Sequence, residues 1–99
     1  MDEHTREARE RAARGGTGIG ASILGRIHPT PEGRAEECWQ ARLSDGERDV
    51  DLRVWALPSL FSTTDPSPAL TEAIERRAAE HGLDALREAG ELWLLDEPV

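Results

Sequence analysis

The chain has 99 residues, 37% of them apolar and 32% charged, with a net charge of −8. That length makes one domain burying roughly two thirds of its unfolded surface, enough for a small core. No apolar run approaches the ~20 residues of a membrane helix and no signal-peptide core opens the chain, while the single cysteine, Cys38, excludes an internal disulfide or thiolate zinc cluster, so a cytoplasmic location is expected.

Lys, Asn and Tyr are missing while Arg occurs twelve times, the pattern of a GC-rich bacterial genome that avoids A/T-rich codons. Arg in place of Lys is then weak support for phosphate recognition. Residues 1–14 carry four acids and four arginines, residues 15–58 seven and five, and residues 59–99 nine and three. The acidic C-terminal part repels nucleic acid and membrane phosphates and favours basic partners.

"MDEHTREARERAARGG" contains helix formers and places Glu7 one turn before Arg11. It shows no apolar stripe. A flexible polar tail over residues 1–18 is expected, before a single α+β domain over 19–99. "GGTGIGA" carries a Gly-x-Gly-x-x-Ala pattern at Gly16, Gly18 and Ala21, but lacks the strand before and helix after that would aim a helix N-terminus at a phosphate. It reads as a lead-in to a strand.

From Ala21 to Leu57 the hydrophobic period is two, predicting three antiparallel strands. One face collects Ile23 and Ile27, then Trp39, Ala41 and Leu43, then Val50, Leu52, Val54 and Ala56. The "PTPEG" loop joins the first two strands, and Asp45-Gly46 fits a two-residue hairpin turn. That turn would set Trp39 opposite Leu52 and Arg42 opposite Asp49; in the first hairpin Ile23 would face Trp39 and Arg26 would face Glu36. The outer face would carry Arg26, Arg42 and Arg53 against Glu36, Asp49 and Asp51, weak ion pairs worth a few tenths of a kcal/mol each. Alternation puts Trp55 on that polar face, where it needs cover from the Leu60-Phe61 loop or from a partner.

Residues 57–66 read as a loop, and Ser67-Pro68 as a helix start. The helix over 68–81 places Leu70, Ala73, Ile74 and Ala78 inward and Glu72, Glu75, Arg76 and Glu80 outward, with Gly82 ending it. "LDALREAG" predicts a second short helix closed by Gly90. "ELWLLDE" predicts a buried final strand, with Trp39 and Trp93 both in the core. The fold expected is α+β: an antiparallel three-stranded meander, a C-terminal fourth strand, and one main helix on one sheet face. The order helix-like segment, three strands, helix resembles that of double-stranded-RNA-binding domains, but the helix start those domains use against phosphates is here the acidic "DPSPALTE".

His4, His28 and His81 are scattered, and no serine sits in a nucleophile elbow. Cys38 and His28 share a face but fall too far apart in register. No metal or cofactor is expected. The chain reads as a non-enzymatic interaction protein binding a basic protein partner, in the manner of an inhibitor, an antitoxin or a nucleic-acid mimic, and compatible with a homodimer. Glu72, Glu75, Glu80, Asp84, Glu88, Glu91 and Trp55 would make the contact. The alternative is a small ligand-binding or enzymatic domain on the outer sheet face, built from Arg26, Arg42, Arg53, Trp55 and Cys38.

Overall fold

A computed structural model describes residues 2–56 and 68–94. In chain order it contains α1 (Glu3–Arg14), β1 (Gly20–Arg26), a 3-10 turn (Pro31–Gly33), β2 (Glu37–Ser44), β3 (Asp49–Ala56), α2 (Pro68–His81), α3 (Leu83–Ala89) and β4 (Glu91–Trp93). The α+β class holds. The four strands form one sheet in the order β1-β2-β3-β4. β1, β2 and β3 are the expected antiparallel meander, whereas β4 lies parallel to β3. The parallel pair follows from the connection, because α2 and α3 carry the chain back along the sheet before β4 begins.

The inner face of the sheet meets α2 and α3. Trp39, Ala41, Leu43, Val50, Leu52, Val54 and Leu92 pack there against Leu70, Ala73, Ile74 and Ala78 of α2 and Leu83 and Leu86 of α3. Alternation along each strand and the i, i+3, i+4 spacing of α2 put these residues on facing surfaces. Gly90 takes the left-handed conformation after α3, and its N–H bonds to the Leu86 carbonyl, which turns the chain into β4. The expected Ser67 cap and the Leu60-Phe61 cover lie outside the described residues.

The N-terminal segment is not the undocked tail expected for residues 1–18. Asp2 caps α1 by accepting from the Thr5 N–H at 2.8 Å, and Thr5, Ala8 and Ala12 are buried against the outer sheet face. Small side chains suffice because β1 offers Gly20: a Cβ there would collide with the Ala8 carbonyl oxygen and the Ala12 nitrogen of α1. Helix and strand backbones touch where a larger residue would hold them apart.

Both hairpin registers differ from expectation. In the second, Ala41 pairs with Leu52 and Arg42 with Asp51, a shift of two residues. Asp45 causes it: its carboxylate accepts from the N–H groups of Glu47 and Arg48, closing a longer loop than a two-residue turn. A shift of two leaves every side chain on its face, so the core survives. In the first hairpin a bulge between Ile23 and Gly25 inserts one residue. Beyond it the parity flips, and Arg26 pairs with Trp39 on the inner face instead of meeting Glu36 on the outer one. Trp93 also changes place, since it pairs with Trp55 and thus lies on the outer face, not in the core.

Among the described residues, no helix is long and apolar enough to cross a membrane.

Candidate functional site

The outer sheet face is already occupied by the chain itself. α1 covers its β1-β2 half through paired charges: Arg42 binds both Asp51 (Nε to Oδ1, 2.6 Å) and Asp2 (Nη1 to Oδ2, 2.9 Å), and Arg9 holds Asp49 at 2.7 Å. The hydrogen bond from the Arg9 side chain lowers the Asp49 carboxyl below the usual range; the Thr5 backbone N–H does so for Asp2. The hydrogen bond to Asp51, with a smaller contribution from Asp2, raises the Arg42 guanidinium above its ordinary value against the opposing effect of desolvation. Arg42 is therefore a structural clamp.

A serine-histidine contact that the sequence did not announce sits under α1. His4 Nδ1 lies 2.8 Å from Ser22 Oγ, and Ser22 donates to Glu7 Oε2 at 3.2 Å. A carboxylate only accepts, so the single serine proton goes to Glu7 and His4 Nδ1 becomes the donor. That is the reverse of a nucleophile-base relation, and Ser22 is buried. The cluster fastens α1 to β1.

The other half of the outer face belongs to the tryptophans. Trp55, expected on this polar face and in need of cover, is buried at 2%. Its ring stacks on Trp93 with centroids 5.1 Å apart, and Arg34 from the β1-β2 loop lies 5.3 Å above the Trp55 ring and 4.9 Å above that of Trp93. Trp55 Nε1 donates to Glu91 Oε2 at 3.0 Å. Cys38 is fully buried, and desolvation raises its thiol pKa. Of the alternative ligand set, Arg42 is clamped and Trp55 and Cys38 are enclosed. Arg53 stays exposed, and Arg26 stands on the inner side at 3.5 Å from Glu37.

The acidic row divides in two. Glu75 is structural: it takes two hydrogen bonds from Arg11 at 2.6 and 2.8 Å and a third from the Ala21 N–H at 3.0 Å. Glu91 orients Trp55. The remaining four, Glu72, Glu80, Asp84 and Glu88, are exposed on α2 and α3. Arg77 lies 3.8 Å from Glu80, and Arg48 bonds Asp84 at 2.6 Å while leaving its side chain 80% exposed.

Beside these helices runs a groove of about 440 Å³, walled by Arg77 and His81 of α2, by Ala85, Leu86 and Ala89 of α3, and by β4. Its size is that of a ligand or peptide site, and its lining is mostly apolar with few charged groups. Sequence patterning did not find it, because it arises where α2, α3 and β4 meet and residues 91–97 read only as a buried strand. Among the described residues, no three of His, Cys, Asp and Glu come together as a metal site. Comparison with protein-family models, with curated proteins and with solved structures finds no match.

Proposed function

We propose that this protein is a non-enzymatic interaction module that binds a basic protein partner through its α2-α3 side. The observation that carries the reading is the set of four exposed carboxylates, Glu72, Glu80, Asp84 and Glu88, on the two adjoining helices α2 and α3. Carboxylates spaced along a rigid helix present the charge pattern of a phosphate row, which suits an inhibitor or mimic of nucleic acid toward a basic protein. The net charge of −8 speeds such an encounter and discourages polyanions. A ligand site on the outer sheet face has less support, since α1, Arg34 and the tryptophan stack occupy it.

The test is the association rate with a partner recovered by affinity capture, measured at low salt, at high salt, and with Glu72, Glu80 and Glu88 changed together to Gln. Glu75 is left alone because it holds β1. The rate is expected to fall about tenfold or more on either change, as screening over a Debye length of ~8 to 10 Å removes steering. A rate indifferent to both would leave the acidic surface a role in solubility only.

A further inference from the structure

We propose that the partner contacts the free edge of β4, adding to the sheet an extended segment in which basic and apolar residues alternate. The inference rests on the basic-partner reading and names the mode of contact.

The two edges of this sheet are treated differently. At β1 the outward Ala21 N–H is capped by the Glu75 carboxylate, and the Arg11-Glu75 pair closes α1 and α2 around that edge. Natural sheets blunt exposed edges in this way to prevent unwanted pairing. Among the described residues β4 has no such device. Gly90 O accepts from Arg53 N and Leu94 N donates to Trp55 O, so alternation turns the backbone groups of Glu91 and Trp93 away from β3. Neither residue's backbone has another hydrogen-bond partner among the described residues. The edge is uncharged at Leu92 and Trp93, carries no proline, and lies along the groove.

Sheet parity sets the chemistry of an added strand. Glu91 and Trp93 project on the outer face, where a side chain opposite them meets a carboxylate oxygen, Oε1 of Glu91, and an indole ring. The carboxylate favours a cation, and the indole, which already carries Arg34 at 4.9 Å, offers flat apolar cover for its stem. The intervening side chains of the added strand point the other way, into the groove that Leu92, Leu86, Ala85 and Ala89 line together with Arg77 and His81, where a small or apolar side chain fits and a second cation would be repelled by Arg77. Main-chain bonds supply affinity and alternate side chains supply selection, as in other strand-addition sites. A second copy fits this edge less well. Two chains of net charge −8 repel each other, whereas a basic segment is attracted.

The test uses the full chain and four synthetic nine-residue probes: one alternating arginine and valine, its glutamate-valine counterpart, the arginine-valine peptide N-methylated on alternate residues along its pairing edge, and a scrambled peptide of the same composition. Hydrogen exchange and amide chemical shifts report the site. The alternating basic peptide is expected to slow exchange at Glu91 and Trp93 at least tenfold, and the other three to bind at least tenfold more weakly. Binding that ignores N-methylation and scrambling, with shifts on α2 and α3 but not at Glu91 and Trp93, would overturn strand addition and leave the basic-partner reading standing. Binding of none of the three basic peptides would overturn strand addition, while a captured partner with a salt-dependent association rate would still stand on its own. Concentration-dependent dimers that protect Glu91 and Trp93 without any peptide would make the occupant a second copy and overturn the proposal.

Discussion

Gly20 shows how much a single residue decides here. It lies in β1 where an α-carbon substituent would press into the backbone of α1 at Ala8 and Ala12. Gly20→Ala is therefore expected to lift α1 and cost about 1–3 kcal/mol in urea unfolding, with faster amide exchange at residues 5–12. An unchanged midpoint and unchanged exchange would mean that α1 is not seated on that strand. The position was hidden in the sequence because "GGTGIGA" reads as a flexible lead-in, and nothing local says that one of its glycines is a contact surface. Cys38 was easier in part: a lone cysteine on a strand reads as a small, half-buried hydrophobe, and the structure buries it completely. Its raised thiol pKa and its enclosure should make maleimide labelling of the native protein roughly a hundredfold slower than labelling in urea, as an opening free energy of about 3 kcal/mol requires. Native labelling at the urea rate would show that Cys38 is open to solvent.

α1 is the element that patterning missed, and the reason is its mode of attachment. It docks by Thr5, Ala8 and Ala12 against Gly20, by a hydrogen bond from Ser22 of β1 and by ion pairs reaching β2, β3 and α2, so a search for large apolar residues at helical spacing finds nothing. Such a helix should be sensitive to acid. Asp2 and Asp49 both have lowered pKa values in the folded state, so their stabilisation is complete above the ordinary carboxylate value near ~3.9 and is lost as pH falls through the lower folded values. Between neutrality and about pH 5, α1 should remain docked. Below about pH 4 its amides should lose protection before those of Trp39, Leu52 and Val54, whose strands are held by apolar burial. Equal protection of Ala8 and Trp39 at pH 3, corrected for intrinsic exchange, would contradict an ionic attachment. The strands of the meander, by contrast, were readable, because alternation survives a register shift of two; only the bulge after Ile23, which shifts by one, moved a side chain to the wrong face.

At the scale of the whole molecule, helices enclose the sheet on both sides, with the apolar core between the inner face and α2-α3 and a polar, clamped layer under α1. Leu52, 2% exposed in that core, is expected to tolerate no charge: Leu52→Asp should cost about 4 kcal/mol, enough to abolish a cooperative melt in so small a domain. A native melting temperature in that variant would sink the core assignment. The acidic surface was legible as a bias in composition but not as a site. Sequence spacing could not reveal that Glu75 faces β1 and Arg11, or that Glu91 faces Trp55, while Glu72, Glu80, Asp84 and Glu88 stay in solvent.

The proposed partner contact lies on the side formed by α2, α3 and β4. Hydrogen exchange of the full chain, alone and in complex with the partner recovered by affinity capture, tests that directly. Protection is expected over residues 80–93 and not over residues 3–14 or the β1-β2 half of the outer face. Protection confined to α1 and the outer face, with residues 80–93 unchanged, would contradict it and place the contact on the clamped side of the sheet.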